Sequence, residues 1–582
     1  MKSQINHNIF WAETTVKLLE FLGVKNVVIS PGSRSTPFVF AFSKSKKINK
    51  TVVIDERDNG FFALGLAKAS RVPAAIVTTS GTATAELYPA IIEAYNSRTP
   101  LIVITSDRPE YLYGTGANQT INQINLYKNH IRKFFDFDAA KPTKRKIAEL
   151  KKEIADAFEI SAKKNPGPVH LNFHFEKPFE PDDYTTAISE ELLTHAFSNV
   201  SEKSNKAEQK NRTFVSLAKK IADSEKGIII TGNGFYSKKD IQGILNFSAA
   251  AKYPIFADGL SPFRFLSRAK KNVFVNQTAF LKSRKVKPEI IFQFGSAPTA
   301  NVLLSFFKES EAEKYVVNPF GDLNDPSRTA DKTIREEYSS FAASIVDNLK
   351  SLNFKRVKSA WFNESLEFEN ISESLKKKII EKAPFWFEGN IIIELMKNIP
   401  AGSNLFISNS LPARDVDFFA PKSGKDVSVF SNRGASGIDG VTATALGTAA
   451  ATKRRTFLLT GDLAFFLDAN ALWIAKNYNL PVTIILVDNS GGGIFNLLPV
   501  ADYPSVFRDY FLTPTGADFG KIVKAYGLPF YHVKNRKEFS EKLNRAVKES
   551  GTNVLRVKTN SFESKAIRKK YWDAVKDALA RL

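Results

Sequence analysis

Cysteine is absent from the 582 residues, and the chain has only two methionines and six histidines. Without a thiol there is no disulfide, no thiolate nucleophile, no iron–sulfur cluster and no cysteine-based zinc site. Histidine offers little in compensation. His170 and His174 lie in Pro168-Val169-His170-Leu171-Asn172-Phe173-His174, which reads as a strand, and four residues of strand span about 13 Å, too far for the pair to share one metal. Long hydrophobic runs are also missing. No window approaches the roughly 18 consecutive apolar residues of a membrane span, and Met1-Lys2-Ser3-Gln4-Ile5-Asn6-His7-Asn8 lacks the apolar stretch of a signal peptide. These absences predict a cytoplasmic protein with no membrane span.

Acidic residues are outnumbered, giving a formal net charge of +22 and a pI of about 9.6. Such a balance suits nucleic acid or an anionic surface. The lysines are scattered, however, in short groups such as Lys144-Arg145-Lys146, Lys219-Lys220 and Lys376-Lys377-Lys378. Most of these fall in helix-like segments whose solvated faces account for them, and neither a basic tail nor a nucleic-acid motif is present. The expectation is no nucleic-acid partner, with a positive field that favours small substrates carrying two or three negative charges.

The length suits roughly three to four domains, and a hydrophobic fraction of 43% is ordinary for a globular chain. Residues 1–185 alternate strands and helices, with strands expected at Val27-Ser30, Thr51-Asp55, Ala74-Thr79 and Leu101-Ser106. Polar residues follow each strand: Ser30-Pro31-Gly32-Ser33-Arg34-Ser35, Asp55-Glu56-Arg57, Thr79-Ser80-Gly81-Thr82 and Ser106-Asp107-Arg108-Pro109. A parallel sheet would bring all four to one edge. Ser201 to Asn211 reads as a polar linker. A second α/β unit over 205–355 would contain strands at Gly227-Thr231, Pro254-Ala257 and Glu289-Gly295, with a Gly232-Asn233-Gly234 turn too weak to claim a nucleotide. Helical, charged sequence from about Thr333 to Lys382 leads to a last α/β domain, 385–582. The fold class expected is α/β, with three doubly wound parallel sheets.

The last domain carries the most specific pattern. Thr456-Phe457-Leu458-Leu459-Thr460 reads as a buried strand ending at Gly461-Asp462, followed by a helix-like stretch from Ala464 to Tyr478. A second apolar run, Val482 to Val487, ends at Asp488-Asn489-Ser490 and opens into Gly491-Gly492-Gly493. Asp462 and Asn489 have 26 residues between them, enough for a right-handed βαβ crossover of at least about 10–12. Both side chains then reach the carboxyl edge of a parallel sheet, where open α/β sheets bind ligands, and the glycines let backbone approach a phosphate. One carboxylate, one amide and one carbonyl oxygen suit Mg²⁺, which takes six oxygens and draws the rest from diphosphate and water. With Glu56 far upstream, the pattern points to thiamine diphosphate. A carboxylic acid facing the aminopyrimidine ring favours its imino form, which can act as an internal base at the thiazolium carbon, and Glu56 is the candidate for that acid. Arg34, Arg108, Arg414 and Arg433 also stand at strand or loop ends, and planar guanidinium forks of this kind recognise carboxylates.

Read together, Ser30-Pro31-Gly32-Ser33-Arg34-Ser35-Thr36-Pro37, Asp55-Glu56-Arg57, Thr79-Ser80-Gly81-Thr82-Ala83, Ser106-Asp107-Arg108-Pro109 and Gly116-Ala117-Asn118-Gln119 occur in order. Asn409-Ser410-Leu411-Pro412-Ala413-Arg414, Ser431 to Gly440 and Gly491-Gly492-Gly493-Ile494-Phe495 follow them. Over nearly its whole length the chain resembles the 2-succinyl-5-enolpyruvyl-6-hydroxy-3-cyclohexene-1-carboxylate synthase family of thiamine enzymes in menaquinone biosynthesis. The resemblance implies a pyrimidine-binding domain at 1–185, a central domain at 205–355 and a diphosphate-binding domain at 385–582, with active sites shared in a homodimer or homotetramer. It implies that 2-oxoglutarate is decarboxylated and its succinyl unit added in 1,4 fashion to isochorismate. It makes Glu56 the cofactor activator, and Asp462, Asn489 and the Gly491 carbonyl the ligands of Mg²⁺, or of Mn²⁺ in its place. Ile438 becomes the apolar wedge that bends the cofactor, with Gly461, Leu463, Gly492, Ile494 and Phe495 around it. Ser33, Arg34, Arg108, Asn118, Gln119, Ser410, Arg414 and Arg433 match substrate positions. One departure is visible: family members commonly carry a basic residue in the loop corresponding to Gly295-Ser296-Ala297-Pro298-Thr299-Ala300-Asn301, and here there is none. Lys282, Arg284 and Lys285 are the candidates to replace it. The alternatives are another thiamine-dependent 2-oxoacid decarboxylase or carboligase, and a noncatalytic protein that keeps the fold. The arginine-rich pocket weighs against the first, because a neutral acceptor would leave buried guanidiniums without partners. Intact Glu56, Asp462 and Asn489 weigh against the second.

Overall fold

A computed structural model of the chain describes residues 6–181, 208–267, 270–283 and 286–582. Among the described residues, eighteen strands are arranged in three six-stranded sheets. The first comprises β1 (Asn26–Ile29), β2 (Asn49–Val52), β3 (Ala74–Thr78), β4 (Leu101–Asp107), β5 (Phe134–Asp138) and β6 (Pro168–His174). The second comprises β7 (Gly227–Thr231), β8 (Ile255–Ala257), β9 (Val273–Phe274), β10 (Ile290–Phe294), β11 (Glu313–Val317) and β12 (Lys332–Ile334). The third comprises β13 (Asn404–Ile407), β14 (Ser428–Phe430), β15 (Thr456–Gly461), β16 (Val482–Asp488), β17 (Phe530–Val533) and β18 (Asn553–Lys558). Every pairing is parallel, for example Thr456 beside Val482. Strands such as β7 and β16 are buried along their whole length, because crossover helices cover both faces of a parallel sheet and select near-continuous apolar runs.

The strand orders are β2-β1-β3-β4-β6-β5, β12-β11-β10-β7-β8-β9 and β14-β13-β15-β16-β18-β17. The first and last sheets therefore share one winding, and the middle sheet has the other common doubly wound order. In each outer sheet the strand order reverses between its first and third strands, and a ligand crevice opens at such a point. Ser33 and Arg34 follow β1 and Ser80 follows β3. In the last sheet Ser410 follows β13 and Asp462 follows β15.

The first and last units meet through helix Glu56–Ser70 and helix Val441–Thr452, which share one core with Phe61, Phe62, Leu446 and Ala449. Two glycines permit the approach. A Cβ on Gly65 would lie 2.1 Å from the Thr444 carbonyl oxygen, and one on Gly447 would lie 2.1 Å from that of Phe62. No helix among the described residues is long and apolar enough to cross a membrane.

Four local expectations are corrected. The strand expected at Thr51-Asp55 is the largely exposed edge strand β2, Asn49–Val52, and the chain leaves it before reaching Glu56. The stretch from Ala464 to Tyr478 is two helices, Asp462–Leu467 and Ala471–Asn477. They part at buried Asp468, whose carboxylate accepts the N–H groups of Gly440 at 2.7 Å and Thr442 at 2.9 Å. The expected linker already turns helical at its end, in helix Glu208–Asp223, and residues 201–207 lie outside the described residues. Thr333 belongs to edge strand β12, and helices Tyr338–Ser351 and Ala360–Ile379 begin only after it.

Candidate active site

At the carboxyl edge of the third sheet, Asp462 opens helix Asp462–Leu467 directly after β15. Its Oδ2 accepts the Gly491 N–H at 2.7 Å and its Oδ1 that of Leu463 at 3.0 Å. Burial and the neighbouring Asp488 push Asp462 up to about 7, a cost that a cation at this point removes. Asn489 follows β16, and its Oδ1 is buried with no hydrogen-bond partner. Among the described residues the Gly491 carbonyl accepts only the Gly493 N–H, at 2.8 Å, and keeps a lone pair. A carboxylate, an orphaned amide oxygen and a carbonyl on adjoining turns fit a hard cation.

The cradle beside them is shaped by glycine. Gly491 has φ +126, and a Cβ there would stand 1.9 Å from the Leu512 carbonyl oxygen; one on Gly492 would stand 2.4 Å from that of Phe511. Gly461 faces open space. Leu463, Ile494 and Phe495 are half-buried around it, with the Phe495 ring edge-on to Phe511 at 5.3 Å.

Next to this cradle, β13 runs into Ser408-Asn409-Ser410. Ser410 adopts φ +69, and helix Leu411–Phe419 follows it. Arg414 donates back to the Ser410 carbonyl at 2.8 Å, and Arg433 donates to the Asn409 side-chain oxygen at 3.1 Å. Asn409 in turn donates to the carbonyls of Asn432 and Gly437, each at 2.6 Å, tying the loop that carries Arg433 and half-buried Ile438 to the strand end. Glu93 of the first unit accepts the Gly434 and Ala435 N–H groups at 2.9 and 2.6 Å. Buried Lys68 reaches Glu93, the Ser431 carbonyl and Asn432 at 3.2, 2.7 and 3.1 Å. Burial lowers the pKa of both Arg414 and Arg433, and Arg433 lowers that of Arg414 further.

A second pair of guanidiniums stands at the edge of the first sheet. Arg34, in the turn Ser33–Ser35, donates to the Phe175 carbonyl, and its buried Nε has no partner. Arg108 donates to the Ser80 hydroxyl. Burial and the Arg108 charge bring Arg34 down to about 10. Gln119, at φ +55, donates to the Ser80 carbonyl at 2.9 Å, and Ser33, Asn118 and Gln119 present exposed side chains.

Glu56 begins helix Glu56–Ser70, capped by Asp55, which accepts the Arg57 and Asp58 N–H groups at 2.9 and 3.3 Å. Burial raises the Glu56 carboxyl above its usual range, and Asp55 and Glu86 add to the rise. This turn docks on the far end of helix Asp462–Leu467: Arg57 donates to the Leu467 carbonyl at 2.8 Å and Asn470 to Asp55 at 3.2 Å. Among the described residues no hydrogen bond or ion pair joins Glu56 to Asp462, Asn489 or Gly491. Around Glu56, Ile54 is 61% exposed, Phe466 45% and Leu467 44%.

Sequence reasoning missed Asn409, Glu93 and Lys68, which hold the Arg433 loop, and it passed over His174 as an ordinary strand histidine. The imidazole of His174 lies 2.6 Å from the Arg108 carbonyl oxygen through Nδ1 and 2.9 Å from Asp136 through Nε2. Against the cost of burial, those partners raise it to about 9. His170 fits the ordinary reading, fully buried against Thr105 at 2.7 Å and held near 3 by burial. Lys282 does not serve the Gly295–Asn301 loop, because its ammonium stacks 3.3 Å above the Trp572 ring. Arg284 and Lys285 lie outside the described residues. The loop itself is held by Asp258, which accepts the Thr299 N–H and hydroxyl at 2.7 and 3.0 Å.

Two family comparisons match this layout: the thiamine pyrophosphate enzyme N-terminal TPP binding domain over residues 11–126 and the C-terminal TPP binding domain over 423–557. Similar full-length relatives, each named 2-succinyl-5-enolpyruvyl-6-hydroxy-3-cyclohexene-1-carboxylate synthase, occur in Bacillus cytotoxicus, Listeria welshimeri and Haloarcula marismortui. The first is 34% identical over 98% of this chain and 97% of the relative. The second is 35% identical over 96% of each, and the third 33% over 99% of each. With TPP binding domains at both ends and identity of this order along nearly all of its length, the chain belongs to the 2-succinyl-5-enolpyruvyl-6-hydroxy-3-cyclohexene-1-carboxylate synthase family of thiamine pyrophosphate enzymes.

Proposed function

We propose that the chain decarboxylates 2-oxoglutarate and adds the resulting succinyl unit to isochorismate, a step of menaquinone biosynthesis. The observation that carries this reading is the pair of guanidinium pairs. Arg34, Arg108, Arg414 and Arg433 direct their hydrogen bonds to neutral oxygens, namely the Phe175 carbonyl, the Ser80 hydroxyl, the Ser410 carbonyl and the Asn409 amide. Among the described residues none of the four has a carboxylate ion-pair partner, and half-desolvated guanidiniums left so carry an energetic cost that substrates with several carboxylates offset. Ser33, Asn118, Gln119 and Ser410 supply neutral donors beside them.

Thiamine diphosphate, when bound, supplies a thiazolium carbon that takes up the electron pair freed when CO₂ leaves. Asp462, the Asn489 Oδ1 and the Gly491 carbonyl would hold Mg²⁺, or Mn²⁺ in its place, against the diphosphate, and Gly461, Leu463 and Gly492 would line that cradle. Glu56, its pKa raised by burial, holds a proton where a ring nitrogen can share it. Ile438 is the apolar wedge, and Ile494 and Phe495 keep water from the reacting carbon. With no hydrogen bond or ion pair joining Glu56 to Asp462, Asn489 or Gly491 among the described residues, and with exposed Ile54, Phe466 and Leu467 beside the acid, the working unit is a homodimer or a homotetramer. The 1–185, 205–355 and 385–582 segments take the pyrimidine-binding, central and diphosphate-binding roles.

The test is incubation of the purified protein with thiamine diphosphate, Mg²⁺, 2-oxoglutarate and isochorismate, following CO₂ and adduct mass. An adduct of isochorismate plus one succinic semialdehyde unit, lost in Glu56→Gln, is expected. CO₂ without the adduct would instead mark a different 2-oxoacid decarboxylase, and neither product would mark a noncatalytic chain.

A further inference from the structure

Arg414 stands on a short helix with a weak beginning. Helix Leu411–Phe419 has nine residues, and Ser410 at its start makes no side-chain cap bond. Such a helix draws its stability from its surroundings rather than from itself. Two aspartates on it, Asp415 and Asp417, are each gripped by a fully buried arginine from elsewhere in the chain.

Arg568, on helix Ser561–Leu579, donates through Nη1 to Asp415 and through Nη2 to Glu388 at 3.2 Å, and Ser564 donates to the same Glu388 oxygen at 2.5 Å. Arg264, beside the second sheet, donates to the Val416 and Ala420 carbonyls at 3.1 Å each and to the Asp417 carbonyl at 2.9 Å, with the Asp417 carboxylate 3.5 Å away. It thereby caps the last turn, where a cation meets the negative end of the helix dipole. Thr278 donates to Asp417 at 2.7 Å. Gly259 lies so close that a Cβ there would stand 2.7 Å from the Asp417 Cα. Successive helical residues are rotated by about 100°, so Asp415 and Asp417 project about 200° apart, and the two arginines hold opposite faces. With both faces held, the direction of Arg414, about 100° from Asp415, is set.

We propose that Arg568 and Arg264 are positioning residues that fix the rotation of helix Leu411–Phe419 and so aim the Arg414 guanidinium at a substrate carboxylate. The inference rests on the substrate role assigned to Arg414 above. Stability alone does not account for the arrangement, because apolar residues of similar volume commonly replace a buried ion pair without loss. Its position also fits: Glu388 and Asp415 line the same narrow cleft as Gly461 and Asn489, so the clamp lies directly behind the cofactor cradle.

Steady-state kinetics at saturating thiamine diphosphate and Mg²⁺ test it, with KM measured separately for 2-oxoglutarate and isochorismate. Arg414→Lys is expected to raise KM for one of them about 10-fold. Arg568→Met should raise KM for that same substrate by a similar factor and leave the other within about 2-fold, Arg568→Lys should recover part of the loss, and Arg264→Lys should share the pattern. Added to Arg414→Lys, Arg568→Met should cost less than about 2-fold more, because both changes disable one contact. Equal changes in both KM values, a fall in kcat alone or multiplicative double-variant effects overturn the proposal. Should Arg568→Met not fold by circular dichroism, Arg568→Lys and Ser564→Ala decide by the same criteria. A wild-type protein that turns over neither substrate overturns the functional reading along with this one; turnover without the shared KM pattern overturns only this one.

Discussion

Several side chains here matter through what they hold. His174 donates toward both Asp136 and the carbonyl of Arg108, so the charged imidazolium is part of the wall behind Arg108. Its pKa, raised to about 9, lies above the roughly 6.5 of an unfolded histidine. The stabilisation from its charged form is therefore complete below about pH 6.5 and is lost as pH climbs through about 9. After allowance for solvent screening the loss is about 1–2 kcal/mol. Urea unfolding at pH 6.5 and pH 9.5 should show this decline in the wild type and a flatter profile in His174→Gln; identical profiles would remove the charged histidine from the account. The contact with Asp136 could not have been read from spacing. It arises because β5 lies beside β6 at the sheet edge, which is a property of the topology. Asp462 and Asn489 were legible as candidates because each follows directly on a strand whose apolar run is visible in the sequence, whereas Glu56 comes after the short, largely exposed β2 and was picked out by the Asp55-Glu56-Arg57 motif. Asn409 and Glu93 hide because their work is done on a loop made elsewhere in the chain.

At the scale of elements, the apolar runs located the strands well: β7 and β6 fall on the residues expected, and β15 and β16 each extend one residue further. Errors came where one residue redirected the backbone, as at Asp468, whose carboxylate serves a turn instead of continuing a helix. The contact between helices Glu56–Ser70 and Val441–Thr452 was also unreadable, since nothing in an Ala- and Thr-rich helix announces the partner its glycine faces. That contact is expected to tolerate no side chain. Gly447→Val should destabilise the protein by about 3 kcal/mol or more, through overpacking against the Phe62 carbonyl. Thermal unfolding monitored by circular dichroism measures it, and a change below about 1 kcal/mol would mean the helices can separate freely.

For the whole molecule, the proposed sharing of the site between subunits, with Glu56 from one chain and Asp462 from its partner, predicts complementation between chains. Glu56→Gln and Asp462→Asn should each be inactive alone. Dissociated and reassociated as an equal mixture, they should recover up to about one quarter of wild-type activity, because half of the dimers are mixed and each of those carries one intact site. No recovery would place both residues in a site built by one chain. The buried arginine on helix Ser561–Leu579 has one more consequence, which concerns time. That helix is made after every other element described, and β18, which precedes it, sits between β16 and β17 in the finished sheet. While the chain emerges, β17 has no strand to pair with and Asp415 no guanidinium to meet. The first unit can fold during synthesis at the usual pace of about 5–20 residues per second, but the clamp on the helix that carries Arg414 is complete only once Ser561–Leu579 has been translated.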